Sequence, residues 1–242
     1  MGAIPARYGS TRLPGKALLS IDGKPMVQHV VERAQQVPGL SRVVVLTDDE
    51  RIATAVEGFG GEWEMTPVDC ASGTDRIAFA ARHWPEEAVV NIQGDEPLMD
   101  PDSIGRLAQH LVAHPEDPLV TLATPAAEGD LNDPNAVKVV VDCRGYGLYF
   151  SRAAIPYPRT PGAVRPLKHL GIYGYQRPAL LQLAALAPTP LEQSESLEQL
   201  RALENGLAMR VLIVEQSSPG VDTAEDLERV RRILERGEGE RV

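Results

Sequence analysis

The chain has 242 residues, 43% of them hydrophobic and 24% charged, which suits a globular α/β protein with an ordinary buried core. A formal net charge of −10 argues against a broad nucleic-acid-binding surface. No apolar run approaches the roughly 20 residues of a membrane span, and the N-terminus lacks the apolar core of a signal peptide. Cys70 and Cys143 stand in no metal-ligand or disulfide-framework spacing. We therefore expect a cytoplasmic protein without nucleic-acid or membrane partners.

The first half of the chain alternates short β-branched runs with helical patterns. Residues 42–46 and 88–93 are apolar through most of their length, as strands buried on both faces are. Apolar residues at helical spacing predict helices at 25–37, 74–83 and 103–113. This alternation predicts an α/β fold, a Rossmann-like, doubly wound and mostly parallel sheet. Such sheets bind ligands at the carboxyl ends of their strands.

The second half of the chain changes character. Residues 137–142 and 146–151, joined by Cys143-Arg144-Gly145, predict a β-hairpin. After it we expect a proline-rich basic loop, then strands and helices at 169–175, 178–186, 191–204 and 208–214. Thr223 and Asp226 form a capping-box signature for a last helix. We expect one domain over residues 1–242, with an inserted hairpin and loop region at about 134–175.

The strongest motif is IPARYGSTRLPGK, at residues 4–16. It places Arg7, Arg12 and Lys16 within ten residues of one another, among glycines that allow the backbone to approach a ligand closely. A triphosphate carries about four negative charges, and forked guanidinium groups match its oxygens. The segment therefore favours a phosphate-binding loop over the alternative, a solvated surface loop.

Two familiar phosphate-binding loops are excluded. Five residues separate Gly9 from Gly15, and Ala17 follows Lys16, whereas a Walker A loop has four residues and then Ser or Thr. No GxGxxG fingerprint follows a predicted strand, which argues against a nicotinamide dehydrogenase.

Two carboxylates in distant parts of the chain are candidate metal ligands. Asp95 lies in NIQGDEP, at the end of a predicted buried strand, and hard oxygen donors suit Mg²⁺. Glu96 could be the ligand instead, or Asp95 could cap the next turn. Asp222 precedes the last helix, and because Thr223 already fits as its cap, Asp222 can take another role. The two aspartates could hold one Mg²⁺ between them, leaving coordination positions for phosphate oxygens and water.

Other polar positions leave alternatives open. The motif SGTDR, at residues 72–76, opens a helix whose N–H groups could bind a phosphate or a base edge, although a plain helix cap explains it equally. His110 and His114 have the spacing of a helical metal pair, but without an evident third ligand a solvated helix face is the better interpretation. His169 is ambiguous, since a satisfied core histidine is the usual case.

Together these segments closely resemble the 3-deoxy-manno-octulosonate (Kdo) cytidylyltransferases, or CMP-Kdo synthetases, nearly end to end. The first motif alone indicates only the wider group of sugar nucleotidyltransferases. The later blocks narrow the resemblance to Kdo: GKPM, SGTDR, NIQGDEP, PNAVKVV, LYFSRAAIP, KHLGIYGY, PLEQSESLEQLR and GVDTAEDLERVR. Only Met1-Gly2-Ala3 precede Ile4, so we expect a short first strand.

The resemblance implies a homodimeric, Mg²⁺-dependent enzyme of lipopolysaccharide synthesis that transfers CMP from CTP to Kdo and releases pyrophosphate. It implies that Arg7, Arg12 and Lys16 hold the triphosphate and that the cytidine lies near Ser72, Thr74 and Gln93. Ala6 would also belong to the nucleotide site. It implies that Asp95 and Asp222 bind the metal, and that the sugar acid faces Arg152, His169, Tyr173, Glu198 and Gln199. Arg12, Lys16 and Asp95 would be the catalytic residues.

The mechanism that this implies is a single in-line displacement at the α-phosphorus, with catalysis by positioning and electrostatics. Proton removal by Asp95 ranks low, because a metal-bound carboxylate is a weak base. Two rivals stay open. One is a cytidylyltransferase for another acidic sugar, amino-substituted Kdo or a sialic acid; the other is a non-catalytic nucleotide-binding regulator on the same fold.

Overall fold

A nine-stranded sheet is the centre of the computed structural model, which describes residues 1–9, 13–160, 162–215 and 218–236. A separate ribbon pairs β2 with β3. In chain order the strands are β1 (Gly2–Ala6), β2 (Ser20–Ile21), β3 (Lys24–Pro25), β4 (Val43–Thr47), β5 (Glu62–Met65), β6 (Ala88–Asn91), β7 (Leu119–Pro125), β8 (Lys138–Val141), β9 (Gly147–Ser151), β10 (Leu167–Gln176) and β11 (Met209–Ile213).

Helices cover both faces of the large sheet. They are α1 (Met26–Ala34), α2 (Glu50–Gly58), α3 (Gly73–Ala81), α4 (Pro101–Ala113), α5 (Arg177–Ala185), α6 (Pro190–Glu195), α7 (Gln199–Glu204) and α8 (Ala224–Glu235), with short 3₁₀ turns at Lys16–Leu18 and Glu128–Leu131. None of the helices in the described ranges has the length and apolar character to cross a membrane.

The strand order is β5-β4-β1-β6-β10-β7-β11. Neighbours pair in parallel except β10, which runs antiparallel to both β6 and β7. The chain leaves β1 toward β4 and β5 and returns to β6 on the other side of β1. The point where the order reverses therefore lies between β1 and β6, where open α/β sheets bind ligands.

The inserted hairpin extends this sheet beyond the end of β6. Strand β8 pairs antiparallel with β9 and with the first two residues of β10. The predicted α/β class, a mostly parallel doubly wound sheet with an inserted hairpin, is confirmed.

Side chains alternate between two cores across the sheet. Val44 and Leu46 pack with α3 and α5, whereas Val45 packs with α1, α2 and α4. Both faces of the inner strands are therefore buried, which is why those strands are continuous apolar runs in the sequence.

The sequence-based element assignments differ from the structure in a few places. Helix α2 and strands β5 and β7 were not predicted, and β1 has five residues, as many as β4. The single helix expected at 191–204 is wrong, because α6 ends where Ser196 adopts a left-handed φ of 52° and α7 begins only at Gln199. The left-handed residue breaks the helical hydrogen-bond ladder and turns the chain.

One close contact fixes how α4 lies on β10. A Cβ atom at Gly174 would lie 2.4 Å from Leu107 and 2.6 Å from Leu111, whereas a Cβ at Gly171 on the same strand would meet no atom within 4 Å.

We expect Gly174→Ala to lower the free energy of unfolding by about 1–3 kcal/mol, the usual effect of overpacking. Gly171→Ala is the matched control and should leave it near the wild-type value. Equal values for the two variants in urea unfolding would contradict this packing.

Candidate active site

A cavity of about 290 Å³ opens at the carboxyl ends of β1 and β6, near the lower end of the size range for small-molecule sites. Several sequence-predicted site residues line it together: Ala6, Arg7, Lys16, Ser72, Gln93, Asp95 and Asp222. Arg12, which the sequence places in the same loop, lies outside the described residues.

The loop after β1 returns on itself to present Lys16. Gly15 closes it by donating its N–H to the carbonyl of Tyr8 at 3.0 Å. Its φ of 68° and the 3.1 Å that would separate a Cβ from the Tyr8 ring both favour glycine here. The Arg51 guanidinium stacks 3.3 Å from the centroid of the Tyr8 ring and supports it from outside.

Close backbone approach also positions Asp95. A Cβ at Gly94 would lie 2.9 Å from the carbonyl oxygen of Pro5, so only glycine lets the end of β6 pass this near to β1. The next residue, Asp95, accepts a 2.8 Å backbone hydrogen bond from Val221. That bond ties the segment before α8 to the end of β6.

Lys16, Asp95 and Asp222 meet in one ion cluster. The Lys16 Nζ lies 2.6 Å from Asp95 Oδ2, 3.2 Å from Asp222 Oδ1 and 3.0 Å from the carbonyl of Val221. The Lys16 side chain is largely buried, while the aspartates remain partly open to solvent. Two carboxylates from distant parts of the chain therefore converge on one positive charge.

The start of α8 holds Asp222 in that cluster. Asp226 accepts hydrogen bonds from the backbone N–H groups of Asp222 and Thr223, at 3.2 and 2.9 Å. Thr223 caps the helix by accepting from the Asp226 N–H, so the predicted capping box is confirmed. The cap of the helix that follows Asp95, α4, is Asp100.

Glu96, the alternative ligand, lies in a different environment from Asp95. Burial, followed by the nearby charge of Asp95, raises the pKa of Glu96 to about 8. The Lys16 ammonium contacts Asp95. Asp95, rather than Glu96, therefore shares the Lys16 ammonium with Asp222.

Helix α3 contributes the opposite wall of the cavity. Ser72 caps it in a capping box with Asp75, which confirms the helix-cap interpretation of SGTDR, and Ser72 also lines the cavity. Thr74 does not line it and lies instead near the Tyr175 hydroxyl, toward β10. Arg76, which sequence reasoning missed, lines the cavity from a buried position and pairs with Asp48 at 2.7 Å.

A second group of predicted residues lies on the buried face of β10, outside the cavity lining. His169 Nε2 lies 2.9 Å from the Thr121 hydroxyl, which itself donates to the carbonyl of Ile172 at 2.8 Å. With the single Thr121 hydroxyl proton in its bond to Ile172, His169 donates from Nε2, which leaves Nδ1 as an acceptor. Burial lowers the pKa of His169 to about 3, so the ring is neutral near pH 7.

Tyr173 and the start of α7 complete this buried face. The Tyr173 hydroxyl donates to Gln199 Oε1 at 3.2 Å, and burial, then the charges of Tyr175 and Glu198, raise the pKa of Tyr173. Gln93 links the face to the cavity, because it lines the cavity while its amide donates to the carbonyl of Gly171 at 3.0 Å.

Arg152 lies where β9 ends. Its guanidinium donates to three backbone carbonyls, those of Glu195 at 2.7 Å, Pro134 at 2.9 Å and Ser196 at 3.3 Å. These acceptors are neutral backbone carbonyls, so hydrogen bonds hold the guanidinium in place, and the nearby Glu195 carboxylate interacts with its charge.

The histidine pair on α4 is engaged away from this site. His110 and His114 stack with ring centroids 4.4 Å apart, and His110 bonds Asp117 at 2.6 Å. The expectation of a simply solvated face is therefore wrong for His110. In the described part of the chain, no three His, Cys, Asp or Glu side chains are grouped so that they could hold a metal ion.

Comparison with known proteins gives one consistent result. The cytidylyltransferase family model matches residues 1–216. A 3-deoxy-manno-octulosonate cytidylyltransferase from Syntrophotalea carbinolica is 50% identical over 96% of each chain. An 8-amino-3,8-dideoxy-manno-octulosonate cytidylyltransferase from Shewanella halifaxensis is 51% identical over 93% of this chain and 94% of its own. A solved CMP:2-keto-3-deoxy-manno-octonic acid synthetase complexed with CTP matches with a TM-score of 0.95 and 46% identity over 98% of both chains.

The fold and the cavity at its switch point define a nucleotide-binding α/β enzyme. With these matches, the chain belongs to the cytidylyltransferase family and, within it, to the 3-deoxy-manno-octulosonate cytidylyltransferases.

The neutral state of His169 makes a testable contribution to stability. The unfolded chain binds a proton at this histidine below about pH 6.5, whereas the folded chain does so only near pH 3. Stability is therefore lost as the pH falls through that window. Between pH 7 and 5 we expect wild type to lose about 2 kcal/mol more free energy of unfolding than His169→Gln. Urea unfolding at both pH values measures the difference, and an equal loss in both proteins would show that His169 is not buried as a neutral ring.

Proposed function

We propose that the chain transfers CMP from CTP to Kdo, giving CMP-Kdo and pyrophosphate for lipopolysaccharide synthesis. The observation that carries the proposal is the convergence of Lys16, Asp95 and Asp222 beside the cavity at the switch point of the sheet. A phosphoryl-transfer site needs such a concentration of fixed charge, because catalysis there consists mainly of positioning and electrostatic stabilisation. The activity named for the relatives supports the same conclusion.

The cavity would hold the nucleotide. Lys16 and Arg7 line it and supply positive charge for phosphate oxygens. Ser72 and Gln93 line it with polar groups that suit the cytidine. Ala6 lies beside them, where a small side chain leaves room for a ligand. Thr74 would act indirectly, through its place between the cavity wall and Tyr175.

The donor chemistry of the cluster fits a divalent cation. Asp95 and Asp222 present carboxylate oxygens to one point, which the Lys16 ammonium occupies. We propose that these two aspartates bind Mg²⁺. Bound there, the ion would neutralise charge on the triphosphate and the leaving group. Since the same oxygens contact Lys16, we expect Lys16 to compete with the ion for them.

The sugar acid would lie beside the nucleotide, toward β10 and α7. Arg152 provides a fixed positive charge for the Kdo carboxylate. His169 Nδ1, Tyr173, Glu198 and Gln199 offer acceptors and donors for hydroxyl groups. Gln93 lies between the two groups, where the reacting atoms would meet.

The reaction itself is a displacement. The anomeric hydroxyl of Kdo releases its proton to water and attacks the α-phosphorus; its oxygen forms the new P–O bond, and the bond to the bridging oxygen breaks as pyrophosphate leaves. Lys16 stabilises charge on the leaving group, with Arg12 assigned the same role from the sequence. A neutral His169 with its proton on Nε2 is a hydrogen-bond partner here rather than a general acid.

We further propose a cytoplasmic homodimer that pairs through the inserted region. Leu148, Tyr157 and Val164 leave more than half of their surface exposed there, at 62%, 86% and 64%. Large apolar side chains exposed in one region are typical of interaction surfaces.

Amino-substituted Kdo is the rival substrate, favoured by the 51% identity to a relative named for it. A panel assay of pyrophosphate release from CTP with Kdo, 8-amino-Kdo and sialic acid distinguishes them. We expect release with Kdo. Release with 8-amino-Kdo alone, or with sialic acid alone, would replace the assignment.

Asp222→Asn tests the role proposed for Asp222, and turnover by wild type tests the alternative of a non-catalytic regulator. The variant retains the shape of the side chain and removes one charge from the Lys16 cluster, so we expect CTP turnover to fall by about 100-fold or more while the fold persists. Glu225→Gln, a nearby exposed carboxylate on α8, is the control and should retain turnover. CTP binding without turnover in wild type would favour the regulator.

A further inference from the structure

Lys138 is a buried ammonium that the reaction described above does not use. It begins β8, and its side chain has no exposure to solvent. Burying an ammonium costs several kcal/mol unless its donors are satisfied, and an apolar side chain of similar volume would fill the space without that cost. Its position therefore needs an explanation in the contacts that it makes.

Those contacts are all backbone carbonyls. The Nζ atom donates to Ala136 at 2.5 Å, Arg152 at 2.7 Å and Asp133 at 2.9 Å, with a longer contact to Asp130 at 3.4 Å. Three of the four acceptors lie within the turn at residues 130–136, and the fourth is the carbonyl of Arg152. One ammonium thus joins that turn to the residue that follows β9.

Arg152 is held by this arrangement from two sides. Lys138 binds its carbonyl directly, and Lys138 also fixes the turn whose Pro134 carbonyl accepts from the Arg152 guanidinium at 2.9 Å. The backbone and the head group of Arg152 therefore depend on the same ammonium.

Glu195 holds Arg152 from the opposite direction. Its carboxylate accepts from the Arg152 N–H at 2.9 Å and from the Ser151 hydroxyl at 2.6 Å, while its carbonyl accepts from the guanidinium at 2.7 Å. A buried cation and an anion thus hold the two peptide groups that flank one side chain.

We propose that Lys138 and Glu195 are positioning residues that preorganise the Arg152 guanidinium for the carboxylate of the sugar acid. The inference rests on the proposed function, in which Arg152 faces that carboxylate. A long arginine side chain loses conformational freedom when it binds a ligand, and fixing it beforehand removes that cost from substrate binding. Substitutions of Lys138 and Glu195 would therefore weaken binding of the sugar acid and leave binding of the nucleotide unchanged.

Separate KM values for Kdo and CTP in Lys138→Met test the proposal. We expect the KM for Kdo to rise about tenfold, with the KM for CTP and the calorimetric affinity for CTP unchanged. Lys24→Met is the matched control, because Lys24 makes an exposed ion pair with Glu32; both constants should stay at wild-type values. A rise in both KM values, or no rise for Kdo, would overturn the proposal.

Two more variants keep the outcomes distinct. Glu195→Gln retains the volume of the side chain and should also raise the KM for Kdo alone; if Lys138→Met does not fold, Glu195→Gln decides. Arg152→Met tests the premise. If Arg152→Met raises the KM for Kdo while the two positioning variants do not, only the inference fails. If Arg152→Met leaves it unchanged, the role assigned to Arg152 in the proposed function fails.

Discussion

The contact of one ammonium with two carboxylates sets the architecture of this site. Lys16 comes from the loop after β1, Asp95 from the end of β6, and Asp222 from the segment before α8. Two like charges brought this close repel each other, so the arrangement is stable only with a cation between them. The sheet order provides the meeting place, because β1 and β6 are neighbours although 81 residues separate Ala6 from Ala88.

Charge and hydrogen bonding are divided between two parts of the molecule. The cavity at the switch point carries the charged groups, whereas the buried face of β10 carries His169, which burial holds neutral, and Tyr173, which is neutral near pH 7 in any case. Such a division suits a triphosphate on one side and a polyhydroxylated sugar on the other. Arg152, which we propose faces the sugar acid, adds one fixed charge anchored by groups on β8 and at the end of α6.

Much of the fold follows from patterns that one sequence displays. Apolar runs predict β4 and β6 because the inner strands are buried on both faces, and the capping box locates α8. Strand β7 is equally apolar but was missed. The break between α6 and α7 depends on a left-handed serine, a residue type that gives no signal of that conformation. Long-range pairing, which places β10 antiparallel between β6 and β7, also leaves no local mark.

Only part of the candidate site could be predicted from the sequence. Motif chemistry indicated Lys16, Asp95 and Asp222, and the structure brings them into contact. Motif chemistry could not reveal Arg76 or Lys138, whose importance comes from burial and from contacts that only the folded chain makes. Thr74 has the expected chemistry, but the helix turns it toward Tyr175 instead of the cavity.

The central claim is that Asp95 and Asp222 form a cation site that Lys16 occupies with its own charge. Calorimetric titration of Mg²⁺ into wild type and Lys16→Met, without CTP, tests it most directly. Removing the ammonium should raise the affinity for Mg²⁺ by about tenfold, or about 1.4 kcal/mol, and adding Asp222→Asn to that variant should abolish the gain. Equal Mg²⁺ affinity in wild type and Lys16→Met would contradict the claim.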